Sequence, residues 1–350
     1  YRAFANKIWN AGRFILMNLE KLPEPMRENL GRALAPIPGV GFEPVANIEA
    51  LELADRWMFS RLAAVTRQIN DALANYRFHE AAYTIYHFFW HEFCDWYVEW
   101  VKPAITLGAD GGITKLSPRS ESGAGVAAAV GVTSAPPPAW VNLSRAFEAS
   151  LRLLQPFMPF ITEELWHQLP GRRDDDSLSL SAFALAGDRS ADPVSEKQFE
   201  TMQELIVAAR NAKAEMGLQN VRPSAQVASE DLRVLELFRT HQETIHRLAG
   251  LQAMNFTRGR LAADAGGVRA TPGFDVRLFH EAPADHEAER ARLQKEKEKL
   301  EKALAQAQKQ LENQEFMSRA PREVVRGVEK RCTELAAQQR RLLESLERLG

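Results

Sequence analysis

The chain has 350 residues, 26% charged and 45% apolar, with a formal net charge of −2. Those values describe a globular protein of two or three domains and exclude a global basic field, so any nucleic-acid partner must be sought in local charge. Its two cysteines, Cys94 and Cys332, exclude a disulfide scaffold and a paired zinc ribbon, and they fit a reducing cytoplasm. In chain order, Phe4, Ile8, Ala11, Ile15 and Leu16 recur at helical spacing and predict an amphipathic helix over 1–19. Its other face carries Arg2, Asn6, Lys7, Asn10 and Arg13. The Pro/Gly-rich stretch from Pro23 to Pro44 is expected to break regular structure. A second helix is predicted over about 49–74, with Leu53, Trp57, Leu62, Val65, Ile69 and Leu73 on one side. A third, over about 79–101 and stopped by Pro103, is apolar nearly all round, which predicts the most buried helix of a bundle. Its run "YTIYHFFWHEFCDWYVEWV" is interrupted by His, Glu and Asp and is not a membrane span.

From about Pro103 to Ala139 the chain is Gly-, Ala-, Ser- and Pro-rich, a composition that buries too little apolar surface to order itself, and a flexible insertion is expected. Helix resumes at about 140–155, followed by a short helix "FITEELWHQL", an extended "SLSLSAF" and a fifth long helix over about 193–216. After Pro223 "SAQVAS", "LQAMNFT" and "FDVRLFH" read as strands, with a helical stretch between the first two. From about Asp285 a heptad begins with Leu293, Leu300, Leu304 and Leu311, and a second runs from Val325 to Leu349. Pro321 between them suits the first turn of a new helix, so an antiparallel coiled-coil hairpin is expected, with arms about 40 Å long. The fold class is therefore mainly α: a helical bundle over 1–220, a small α+β unit over 221–283 and a coiled-coil hairpin over 284–350.

Few residues suggest catalysis. His87, His91, Cys94 and Asp95 share a helix at spacings that suit a metal, but "HEFCD" lacks the second His of HExxH. The competing reading, packing histidines at the edge of an aromatic helix with no metal, is the preferred one. There is no phosphate-cradling Gly loop and no GxSxG, so no catalytic residue is assigned and a binding module is favoured. Residues 1–21 hold Arg2, Lys7, Arg13 and Lys21 against Glu20 alone, with Trp9 and Phe14 among them. Cations for phosphates, amides for base edges and aromatics for stacking are how single-stranded RNA is held. A solvated helix face with inward aromatics is the alternative. Towards the hairpin tip Arg319, Arg322, Arg326, Lys330 and Arg331 face only Glu323 and Glu329, which suits a phosphate-rich partner. A helical scaffold whose coiled coil binds protein is the rival.

"NKIWNAGRFILMN", "NYRFHEAAYTIYHFFWHEFCDWYVE", "LRLLQPFMPFITEELWHQLP", "ELIVAARNAKAEM" and the terminal hairpin with "EFMSRAPREVV" occur in this order. Together they resemble the C-terminal third of valyl-tRNA synthetases, over nearly the whole chain apart from about 103–139. Single phrases are shared loosely with the isoleucyl and leucyl enzymes, so the matching part of one of those is the alternative within the superfamily. The terminal hairpin points to valine, because isoleucyl enzymes commonly end in a cysteine-rich zinc module. The resemblance implies a helical anticodon-binding domain and a tRNA-binding arm. It also implies a preceding catalytic domain with HIGH and KMSKS signatures that uses ATP and Mg; neither signature occurs in this sequence. It places Asn6, Lys7, Asn10, Arg13 and Phe14 near the anticodon and Arg319, Arg322, Arg326, Lys330 and Arg331 at the tRNA elbow. The implied partner is valine-accepting tRNA, with no DNA and no membrane, for a cytoplasmic parent enzyme that is monomeric.

Overall fold

The computed structural model describes residues 2–35, 51–105, 135–185, 191–262 and 268–279, with scattered helical positions between 294 and 339. Two compact units divide the chain, Tyr1–Phe279 and His280–Gly350.

The first unit begins with α1 (Arg2–Leu19), as its periodicity predicts. The stretch from Pro23 is not irregular throughout, because α2 spans Glu24–Ala33. Pro25 falls in its first turn, where the missing N–H has no intrahelical partner to lose, so the proline starts a helix here. Gly31 of α2 and Gly171 meet backbone to backbone: a Cβ on Gly31 would stand 2.8 Å from the Gly171 nitrogen. Next come α3 (Leu53–Ala74) and α4 (Phe78–His87), which continues without a break into a π-helical segment, Phe88–Val98, and then α5 (Glu99–Ile105).

Pro103 does not stop this helix but lies inside α5. Its missing N–H frees the carbonyl four residues back, at Glu99. A guanidinium answers instead: Arg247 Nη2 donates to Glu99 O at 2.8 Å and to Trp100 O at 3.3 Å. The insertion expected over 103–139 lies, from 106 to 134, outside the described residues.

The most buried helix is not the one from α4 to α5 but α6 (Pro138–Leu154), along which Arg145 alone breaks the buried run from Trp140 to Leu154. Its polar residues disguise it in sequence, yet they are paired inside the core. Asn142 Nδ2 donates to Asp55 Oδ2 at 3.0 Å, and Tyr97 Oη donates to Asp55 Oδ1 at 2.5 Å, tying α6, α3 and the π-helical segment together. Burial pushes the Asp55 carboxyl up to about 6, against the opposing pull of those two hydrogen bonds. Glu148 Oε1 accepts from Arg152 Nε at 2.8 Å, from Trp166 Nε1 at 2.9 Å and from Arg172 Nη2 at 3.0 Å. Trp166 belongs to α7 (Pro159–His167).

"SLSLSAF" is extended only in part, at Ser177 and Ser181. Leu178–Leu180 form one 3₁₀ turn, with Leu178 buried and Leu180 exposed. The amides of Leu178 and Ser179 donate to the Glu163 carboxylate at 2.9 and 3.2 Å, so a side chain takes the place of a neighbouring strand. The long helix α8 spans Pro193–Glu215 and is capped by Asp192, whose Oδ1 accepts from Ser195 N at 2.9 Å.

The α+β part holds β1 (Ser224–Ser229), α9 (Leu232–Thr240), α10 (Gln242–Ala249), β2 (Met254–Arg258), β3 (Val268–Ala270) and β4 (Asp275–Phe279). The sheet order is β2-β1-β4-β3, with β1 and β2 parallel and the other pairs antiparallel. The helical stretch between the first two strands divides at His241, and the three-residue β3 has no alternating apolar pattern to announce it. Val227, Val276 and Leu278 are buried, continuous with the helical core.

In the second unit, positions 299–305 are helical and Gln339 Nε2 donates to Glu301 Oε1 at 3.5 Å. The turn and most of both arms of the expected hairpin lie outside the described residues.

Candidate nucleic-acid interface

Phe4, Ile8, Ile15, Leu16 and Leu19 seat α1 on the bundle. Gly12 belongs to the same side, because a Cβ there would lie 2.7 Å from Leu165 of α7. At 3.6 residues per turn this seating sends Asn6, Asn10, Arg13 and Met17 outward. Lys7 and Phe14 fall on the flank facing the π-helical segment and α5. α1 runs alongside the α4–α5 helix: Phe4 packs edge-on against Tyr86 at 4.8 Å between ring centres, and Phe14 lies beside Lys102, whose Nζ is 5.3 Å from its ring centre.

Of the five α1 residues expected near the anticodon, Asn6, Asn10 and Arg13 thus stand in the open. Arg13 has no ion-pair partner among the described residues. The other two are engaged within the chain. Lys7 Nζ is 2.6 Å from Asp95 Oδ1 and 5.5 Å from the Trp90 ring centre. Phe14 is half-buried against the core, and Lys102 above it also pairs with Glu99. Trp9, which sequence alone divides evenly between core and surface, is 43% exposed. The helical wheel separates it from Ile8, and that was the available signal. Of the tip residues, Arg319, Arg322, Arg326, Lys330 and Arg331 lie outside the described residues.

The histidine cluster does not converge. His91 Nδ1 lies 3.3 Å from Asp95 Oδ2 at the surface, while Cys94 is buried and burial pushes its thiol up to about 12. A thiol held protonated is a poor metal ligand. Among the described residues no group of three His, Cys, Asp or Glu side chains could hold a metal. The histidines instead continue a row of rings: His91 is 5.3 Å from His87, and His87 is 4.1 Å from Tyr83, centre to centre. Tyr83 is 66% exposed, although its place in an aromatic run suggests a core position. No described helix is long and apolar enough to cross a membrane.

The anticodon-binding domain of tRNA ligases is the family whose model matches the bundle, over residues 55–113 and 131–229, a match that begins after α1. The valyl tRNA synthetase tRNA binding arm matches residues 285–350. Curated relatives called valine–tRNA ligase are similar along the chain: one from Solibacter usitatus is 33% identical over 98% of it, one from Dechloromonas aromatica 34% over 100%, and one from Geobacter sulfurreducens 34% over 100%. The chain covers 33%, 34% and 35% of those proteins, about a third of their length. The chain belongs to the valyl-tRNA synthetase family and corresponds to its C-terminal part.

Proposed function

We propose that this chain is the tRNA-binding part of a valine–tRNA ligase that attaches valine to its tRNA with ATP and Mg supplied to a separate catalytic domain. The observation that carries the reading is the outward arc of α1, where Asn6, Asn10 and Arg13 present amides and a cation that has no ion-pair partner among the described residues. Such a surface meets unpaired bases and phosphates together. Lys7 and Phe14 edge the arc, and the anticodon loop is the occupant. The arm over 284–350 is a coiled-coil hairpin whose basic tip meets the tRNA elbow, and the hydrogen bond between Gln339 and Glu301 favours two antiparallel arms. The bundle over 1–220 and the α+β unit over 221–283 complete the fragment. Two modest contacts far apart on one rigid ligand reinforce each other through effective concentration. The reading carries with it a cytoplasmic, monomeric parent enzyme.

Titration of the 350-residue chain with transcribed valine tRNA and with an unrelated tRNA, at several salt concentrations, tests this. Tighter binding of valine tRNA, weakening steeply with salt, is expected. Equal affinity for both tRNAs would remove the anticodon contact. ATP–pyrophosphate exchange with valine should stay at background on this chain alone.

A further inference from the structure

The arc on α1 does not end at Lys7. Next to that ammonium stands Asp95, shared between Lys7 at 2.6 Å and His91 at 3.3 Å. From His91 the rings of His87 and Tyr83 follow along the surface of α4, with centres 5.3 and 4.1 Å apart and inclined at 36° and 49°. Tyr86 and Trp90, beside this row, pack under α1 against Phe4. That aromatic seam backs His87 through Tyr86 at 5.3 Å and His91 through Trp90 at 6.3 Å between ring centres, while the two ends of the row, Tyr83 and His91, are exposed. Exposed rings held in a row by contacts with one another lose little freedom when a further flat ring lies on the face of the outermost one. Every nucleobase has a π-face that fits such a row without regard to its identity.

We propose that Tyr83, His87 and His91 form a stacking ladder for unpaired bases of the bound RNA, continuous with the α1 arc through the Lys7–Asp95 pair. In this arrangement α1 supplies the amides and Arg13 that discriminate, and the ladder supplies base-independent stacking for the neighbouring nucleotides. Asp95 acts as a positioning residue, since it fixes His91 at one end of the ladder and Lys7 at the edge of the arc. The inference rests on the RNA-binding reading given above.

The test uses the 350-residue chain, transcribed valine tRNA, and the same tRNA with abasic positions in its anticodon loop. Tyr83→Ala should bind the intact tRNA about 5-fold or more weakly, and Tyr83→Phe should bind within about twofold of the unaltered chain, because the ring and not the hydroxyl is used. On the abasic tRNA, Tyr83→Ala and the unaltered chain should bind alike. Thermal unfolding of both variants should match the unaltered chain, since Tyr83 is a surface residue. If Tyr83→Ala binds intact tRNA normally while Arg13→Ala weakens it, the ladder is wrong and the RNA-binding reading stands. Failure of Tyr83→Phe to restore binding, or an equal loss on the abasic tRNA, also overturns stacking. An unaltered chain that binds neither RNA overturns both.

Discussion

Asp55 carries a charge problem that the bundle leaves half solved. Its carboxyl is buried, and that burial raises it from 3.8 to about 6, while Asn142 Oδ1 close by has no hydrogen-bond partner among the described residues. A folded-state value above the unfolded one means that protonation favours the fold. The associated stability is fully present below about 3.8 and is lost as pH rises through about 6. Unfolding free energy should therefore be lower at pH 8 than at pH 5 by about 1–2 kcal/mol from this group. Asp55→Asn should flatten that difference, which denaturant titrations at the two pH values would show; an unchanged pH dependence would refute the assignment. Residues of the α1 arc act on binding instead. Arg13→Ala and Phe14→Ala should each weaken valine tRNA by about 1–3 kcal/mol, and weaken a tRNA with another anticodon by less. Comparative binding isotherms for the two tRNAs distinguish this from a general loss of affinity.

At the scale of elements, the start of α5 is completed from outside. Arg247 of α10 supplies the donors that Pro103 withholds from Glu99. Arg247→Ala should destabilise the chain by roughly 1–2 kcal/mol by leaving those carbonyls with fewer donors. Pro103→Ala in the same background should restore part of the loss, since the new N–H reaches the Glu99 carbonyl. A double-mutant cycle by chemical denaturation would reveal the coupling, and strictly additive effects would sink the explanation. These elements also show what sequence could and could not disclose. Periodicity and proline placement found α1, α3, α6, α7, α8 and three of the four strands to within a few residues. Two misses were local, α2 beginning at a proline and β3 being only three residues long, and the others arose where one group acted on another elsewhere in the chain. Pro103 reads as a stop only until Arg247 is seen on the Glu99 carbonyl, and "SLSLSAF" reads as extended throughout until Glu163 is found holding its amides in a turn. α6 hides its burial because Asn142, Glu148 and Arg152 look like surface residues, and most of their partners come from other elements. On α1 the exposed arc was readable from residue types, whereas the engagement of Lys7 by Asp95, 88 residues further on, needed the chain to fold back.

For the whole molecule, the two proposed contacts differ in kind. Neutralising Arg319, Arg322, Arg326, Lys330 and Arg331 should weaken cognate and non-cognate tRNA alike. It should also flatten the dependence of log affinity on log salt by about 0.9 for each phosphate that is no longer neutralised. Isotherms at a series of salt concentrations measure this, and an unchanged slope would make the arm a structural part. The Arg247 bridge to α5 has one more implication, in time rather than in space. Its partners lie 148 and 147 residues before it in the chain. At a synthesis rate of about 5–20 residues per second, roughly 7–30 seconds separate the appearance of Glu99 from that of Arg247. During that interval the Glu99 carbonyl, at the start of α5, lacks the donor that the fold later brings to it. Arg247 of α10 supplies that donor, so the α+β part fastens the bundle after its last helix, α8, has been made.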